Sequence, residues 1–348
     1  MPGATKEPVL REIADGVHAY LQTGSWGFSN AGLITGGGES LLVDTLYDVP
    51  LTERMIAEMR RVVPAARRIA TVVNTHANGD HCWGNQVVRG ANIVSTKAAA
   101  AEMKELSPRL MATLVRASRL IANLGPWQRA PLRVLGALGV GRAGALAEAA
   151  QFIVECFGAF DFRGVSLTLP TTTFEREVSL AVGDRTVQVI EVGPAHTRGD
   201  AIVYLPKEKV AFTGDILFVG SHPIIWEGPV QNWIAACDRL LALDVDVIVP
   251  GHGPITDKAG VRTTKEYWER LVETTRRGRD AGLTAQDIAR ELFRDAKEAW
   301  GESHRLAVNV DTIFRGMAGT KAHPDPLALM ARMARLENER AVSSSPPR

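Results

Sequence analysis

Cysteine is scarce in this chain, with three in 348 residues, at Cys82, Cys156 and Cys237. Their odd number and wide separation exclude a disulfide framework and a Cys-x-x-Cys site, so the sequence predicts a reducing, cytoplasmic setting. Net charge is nearly absent as well. Forty Lys and Arg face thirty-nine Asp and Glu. That balance leaves no electrostatic case for nucleic acid or an anionic membrane as a partner. Long apolar runs are also missing. The longest apolar-leaning region, about 110–155, is interrupted by Arg, Gly and Pro, short of the roughly eighteen residues that span a bilayer. Residues 1–8 lack the apolar centre of a signal peptide. No repeat of about 20–50 residues is found, which excludes a solenoid.

What remains is ordinary globular composition, 45% apolar and 23% charged, in a chain long enough for one large domain or a domain plus an appendage. Residues 1–10 read as a loose tail. Strand patterns follow at 17–21, 30–35 and 40–44, the last two joined by Gly36-Gly37-Gly38 as a hairpin. A helix is expected over 50–63, from Met55, Ile56, Met59 and Val62-Val63 at helical spacing. Strands follow at 69–73 and 92–95. From 97 to about 157 the chain turns Ala- and Leu-rich, with helical periodicity over 98–105, 109–124 and 132–157. This reads as a helical insertion, either a lid or pocket wall beside a site, or a packing appendage or dimer surface. Strands return at 177–182, 186–192, 201–205, 210–213 and 245–249, with a helix over about 230–243. Beyond 260 four amphipathic helices are expected, over 261–277, 284–298, 303–317 and 326–339. The first should stop before Gly278, and Thr284 should cap the second with Asp287 three positions on. Residues 342–348 read as disordered. Strands, helix and polar motif occur in both halves of 10–260, which suggests two packed βα halves with a site between them.

The polar motifs lie where strands end. His76, Asn78, Asp80 and His81 follow the strand at 69–73; two imidazoles and a carboxylate so close are costly to bury unless a divalent metal pairs them. His196 follows 186–192, Asp215 follows 210–213, and His252 follows 245–249. Glycine or proline flanks each, as a sharply turning backbone requires. Four such turns at one sheet edge could converge on one site. Asp44, closing its strand, is either a carboxylate orienting a histidine or a turn cap. Cys82 reads first as a small buried residue, with a metal-adjacent thiol as the alternative. Trp83 reads as core. His18, His304 and His323 lack metal-like context.

The order His76-x-Asn78-x-Asp80-His81, then Gly193-x-x-His196-Thr197-x-Gly199-Asp200, then Thr213-Gly214-Asp215, then Pro250-Gly251-His252-Gly253 resembles the metallo-β-lactamase superfamily over about 13–258, the insertion apart. The resemblance implies an α/β fold, an αββα sandwich, as a catalytic domain at 11–260 with the insertion at about 97–157 and a helical C-terminal region at 261–340. It implies a first metal site with His76 and His196, a second with Asp80, His81 and His252, and Asp215 bridging them. Asn78 stands where the family carries histidine. It is either a weak ligand or a hydrogen-bonding residue that orients His76 or Asp80, so the resemblance implies one or two ions: zinc, with iron or manganese as alternatives. The implied chemistry is hydrolysis by metal-activated water, with Asp80 helping to orient the water or shuttle its proton. His222 and Trp226, in the loop after Asp215, are candidate substrate contacts. The expected substrate is a small or medium, hydrophobic ester, thioester or lactone. The alternatives are polyketide cyclase-like or β-lactamase activity, a di-iron oxidoreductase, or a non-catalytic ligand-binding member. A homodimer is compatible with the C-terminal helices.

Overall fold

A computed structural model describes residues 7–125, 127, 128, 131, 134, 141–296, 300–320 and 325–343. By internal contacts these divide into two compact units. One holds Asp161–Glu269 with the described residues up to Arg109; the other holds Leu110–Phe160 with the described residues from Arg270 on.

The first unit is built on two sheets. The seven strands of the first run in sequence order: β1 (Val9–Ala14), β2 (Val17–Leu21), β3 (Ala31–Gly36), β4 (Glu39–Val43), β5 (Ile69–Val73), β6 (Asn92–Thr96) and β7 (Thr172–Phe174). Pairing is antiparallel from β1 to β4 and parallel from β4 to β7. The second sheet has the order β12 (Val247–Val249), β11 (Val210–Phe212), β10 (Ala201–Leu205), β9 (Arg185–Glu191), β8 (Glu177–Val182). It is antiparallel except for β11 with β12. The sheets face each other across one apolar cluster, to which Val17, Ile34, Leu41, Val43, Val73 and Val94 come from the first sheet, and Val187, Val189, Val203, Leu205 and Phe212 from the second. Gly32 is small because Phe212 fills its space: an added Cβ would lie 2.3 Å from the ring.

The outer face of the first sheet is covered by helix α1 (Val49–Val62), which buries Met55, Ile56 and Met59 against Leu33, Leu42, Val72 and Ile93. Asp48 caps it by accepting from Leu51 N. A four-residue turn of helix, α2 (Gly79–Cys82), follows β5, and α3 (Lys97–Glu102) follows β6, capped by Thr96. Helix α6 (Val230–Ala242) buries Trp233, Ala236, Cys237 and Leu240. The Trp233 ring packs 4.6 Å from Trp268 of α7 (Lys258–Asp280). Two mixed sheets with helices outside make the expected αββα sandwich.

The second unit is helical: α4 (Pro108–Ala122), which begins in the first unit, α5 (Gly141–Phe157), the end of α7, α8 (Ala285–Asp295), α9 (Leu306–Met317) and α10 (Pro326–Ser343). The Thr284–Asp287 capping box forms as expected. His304 is buried between Glu302 and Glu337, at 3.1 and 2.7 Å.

Several expectations are corrected. Residues 9 and 10 belong to β1, whose order Val-Leu-Arg-Glu-Ile-Ala shows no apolar–polar alternation, so its pairing with β2 is not marked in the sequence. Strand β7 is three residues long, two of them exposed. Gly278 does not end α7. The helix runs on to Asp280 and ends at Gly282, where φ is +82° and Leu283 N donates to Gly278 O at 3.0 Å. Gly278 is small because an added Cβ would lie 2.6 Å from Ile288 Cγ1. Residues 342 and 343 continue α10; the remaining expected tail, 344–348, lies outside the described residues, as do most of 132–140 and His323.

Candidate metal centre

The parallel register of β4, β5 and β6 brings three strand ends level. Asp44 N donates to Val73 O at 2.8 Å, and Asn74 N to Val94 O at 2.9 Å. Ala201 N, on the other sheet, donates to Thr75 O at 2.8 Å, which ties the two sheets together at this edge. On the second sheet Thr213 N donates to Val249 O, and Gly251 N to Gly214 O. The polar motifs therefore leave their strands at one end of the sandwich. Asn30 closes the rim, donating from Nδ2 to Pro250 O and Gly253 O.

At this edge His76, Asp80, His81, His196, Asp215 and His252 come together, all of them buried. Asp215 is the hub. Its Oδ1 lies 3.1 Å from His81 Nε2 and 3.3 Å from His252 Nε2; its Oδ2 lies 3.2 Å from His196 Nε2 and 3.8 Å from His76 Nε2. Asp80 Oδ2 is 3.3 Å from His252 Nε2 and 3.7 Å from His81 Nε2.

Each imidazole is tied off on its far side. His81 Nδ1 meets Asp44 Oδ2 at 2.9 Å, His196 Nδ1 meets Ile224 O at 2.7 Å, and His252 Nδ1 meets Phe28 O at 3.2 Å. His76 Nδ1 meets Thr75 Oγ1 at 3.0 Å, while that hydroxyl donates to Asp44 Oδ2 at 2.7 Å. Oxygens that can only accept hold the proton on Nδ1, and Thr75, already donating elsewhere, acts as one. All four Nε2 atoms thus face the cluster, the arrangement in which outer partners set the tautomer of metal-binding histidines.

Three buried atoms in the cluster, His76 Nε2, His81 Nε2 and Asp215 Oδ1, have no hydrogen-bond partner among the described residues. The short His81–Asp215 approach therefore lacks hydrogen-bond alignment. Unpaired buried acceptors are costly, and a cation would satisfy all three. Among the described residues, the groups able to hold one are His76, His81 and Asp215, and Asp80, His81 and His252, each set with its ligand atoms within 4.8 Å of one another. The donors, imidazole nitrogen and carboxylate oxygen, suit a first-row divalent metal.

The electrostatics agree. Burial alone would raise the Asp215 carboxyl, but His252, His81, His196 and His76 around it hold it well below the usual range. Burial lowers His81, yet Asp215, Asp80 and Asp44 outweigh it and hold the imidazole well above its ordinary value. His252 is likewise pushed up to about 9 by Asp215 and Asp80 against burial. His76, by contrast, is held well below its usual value by burial and by His81.

Asn78 joins the cluster differently from its neighbours. Its Nδ2 lies 2.8 Å from His196 Nε2, so its partner is His196 and not the His76 or Asp80 expected. His222 is buried and meets Tyr267 Oη at 3.2 Å through Nδ1. Trp226 is half-buried, and its backbone N–H donates to His196 O at 3.1 Å. The loop they share thus supports His196 from behind, through Ile224 O, Trp226 N and Glu227 N. Cys82 donates its thiol to Ala77 O at 3.3 Å. Trp83 is core, packed against Tyr47 and Phe162.

Two supporting groups carry no sequence signal as metal-site residues. Phe28 and Ile224 act through backbone carbonyls, which any residue type supplies. Thr75 and Asp200 do act through side chains. Asp200 accepts from Ala195 N and from both the N–H and hydroxyl of Thr197, fixing the loop that carries His196. Their place beside His76 and His196 in the motifs was the available signal.

The profile of the metallo-beta-lactamase superfamily matches residues 24–252. A linear primary-alkylsulfatase of Pseudomonas sp. (strain ATCC 19151) is 23% identical over 72% of this chain and 47% of its own length. The alpha subunit of a 2,4-dinitroanisole O-demethylase from Nocardioides sp. (strain JS1661) is 27% identical over 35% of this chain and 38% of its own. An acyl-coenzyme A thioesterase of Gallus gallus is 29% identical over 24% and 31%. The chain thus spans less than half the length of these relatives. Among solved structures, a metallo-beta-lactamase from Pontibacter korlensis superposes with a TM-score of 0.52 at 18% identity, covering 76% of this chain and 99% of that one.

Proposed function

Because this chain belongs to the metallo-β-lactamase superfamily, we propose that it is a metal-dependent hydrolase of small or medium organic esters, thioesters or lactones. The observation that carries this reading is the convergence of four Nε2 atoms on Asp215, each imidazole fixed by an oxygen at Nδ1. Asp80, His81, His252 and Asp215 would hold the ion, with His76 beside them. A divalent ion bound there supplies a nucleophilic water near neutral pH, by lowering the water pKa to about 7, and Lewis acidity toward the scissile bond.

The chain's own residues divide the rest of the work. Asp80 is the carboxylate with residual solvent access, its side chain 12% exposed against 3% for Asp215. It is therefore the group placed to take a proton from the attacking water at a carboxylate oxygen and return it to the leaving group. Asp215, enclosed by imidazoles, stays ionised and holds them in register. Asp44 fixes His81 and, through Thr75, His76.

A second reading keeps the site and changes the bond. The alkylsulfatase aligns over more of this chain than the thioesterase does, which favours sulfate esters as an additional substrate class. The test is elemental analysis of the purified protein, followed by assays of p-nitrophenyl esters, acyl-coenzyme A thioesters, lactones and alkyl sulfates with zinc, iron or manganese supplied. Stoichiometric metal and hydrolysis, both lost in His81→Ala, are expected. A protein that binds none of these metals, or that binds one and turns over no substrate of any class, overturns the assignment and leaves a ligand-binding member of the fold.

A further inference from the structure

We infer that Asn78 withholds His196 from metal coordination, so that the chain takes a single divalent ion at Asp80, His81, Asp215 and His252. The inference rests on the metal-dependent reading above and goes on to fix the number of ions.

The argument begins at the far side of the ring. His196 Nδ1 lies 2.7 Å from Ile224 O, and a carbonyl can only accept, so Nδ1 carries the proton. In the neutral ring Nε2 is then a bare acceptor. Asn78 Nδ2 stands 2.8 Å from it. Only the NH2 end of the amide can satisfy a bare lone pair, so the Ile224 carbonyl fixes which way Asn78 faces. The lone pair that a metal would need is taken by a hydrogen bond. Nor is the ring free to swing elsewhere, because it is fully buried with Phe218 and Trp233 at centroid distances of 5.8 Å.

The donor count points the same way. With His196 withdrawn, a site on that side keeps His76 and Asp215 as its own donors, fewer than the three protein ligands usual for a catalytic zinc. Among the described residues, the two groups able to hold a metal both include His81. His81 Nδ1 is committed to Asp44, so its one remaining nitrogen serves one ion. The group with Asp80 and His252 has an independent carboxylate and an independent imidazole, and Asp215 Oδ1 faces both of its histidines. It is the stronger competitor for that nitrogen.

The experiment loads purified protein with excess zinc, removes unbound metal, and measures zinc per chain for wild type, Asn78→His, His196→Ala and the double variant. Binding of cobalt, followed by its visible spectrum, gives an independent reading of ligand type. One equivalent is expected in wild type, and two in both Asn78→His and the double variant, where the added imidazole joins His76 and Asp215 as a third donor. His196→Ala is expected to keep its single equivalent with an unchanged cobalt spectrum; circular dichroism checks that it folds, and the wild-type count stands without it. Two equivalents in wild type, or loss of the one equivalent in folded His196→Ala, overturns the inference and leaves the hydrolase reading intact. No bound metal in wild type overturns both.

Discussion

On the metal-dependent reading, a proton and a divalent ion would compete for His252 Nε2. Asp215 and Asp80 raise this imidazole to about 9 in the metal-free protein, so near neutrality Nε2 is protonated and an incoming metal must displace that proton. Zinc binding should therefore release protons at about pH 7 and release fewer as the pH passes about 9. Calorimetric titration in buffers of different ionisation enthalpy reads this directly; a proton count that stays constant across the range would contradict it. The same shift has a sign for stability. The folded pKa lies above the ordinary value of 6.5, so this group stabilises the metal-free fold fully below about 6.5, and the contribution is lost as pH rises through about 9.

The loops that carry these residues depend on backbones in close contact. Gly251 is the tightest case at the site: a Cβ there would lie 2.0 Å from Asp215 Oδ1 and 2.7 Å from the Gly214 carbonyl carbon. Gly251→Ala must push Asp215 or the 213–215 turn aside. Such overpacking typically costs about 1–3 kcal/mol. Chelator competition should show weakened zinc binding alongside a lowered unfolding midpoint, and unchanged zinc affinity would mean that the loop relaxes without moving Asp215. This crowding also marks where the sequence was legible. Strands β2 to β6 and β8 to β12 could be read because buried alternation or continuous apolar runs mark them, and the four metal-type motifs because glycine and proline punctuate them. Strand β1 could not, since Val-Leu-Arg-Glu-Ile-Ala shows no apolar–polar alternation and half of its side chains are exposed. Gly278 misled because a glycine inside a helix looks like a terminator until its neighbour Ile288 is known. The Asn78–His196 bond was hidden for the same kind of reason: residue 78 displays an amide, and nothing local to it names a partner 118 positions away.

For the molecule as a whole, the candidate ligands all belong to one of the two compact units, the sandwich. Removing metal should then lower the stability of that unit by the binding free energy it forgoes, about 2.7 kcal/mol where free metal stands at a hundred times its Kd. Hydrogen exchange after chelation should quicken in the segments around residues 44, 75–82, 196, 215 and 252. Unaltered exchange there would mean that the hydrogen bonds behind each imidazole hold the site open unaided.

The ligands also divide in time. His76, Asp80 and His81 follow β5, whereas His252 follows β12, the last strand of the sandwich. A chain leaving the ribosome meets the first three long before the fourth, and all seven strands of the first sheet are made before any of the second sheet exists. Until β12 pairs with β11 and carries His252 to Asp80, the early half displays two imidazoles and a carboxylate without the partner that completes them. On the metal-dependent reading the ligand set is complete only once His252 has emerged, and a chain arrested short of Pro250 would hold metal weakly however well its first sheet had formed.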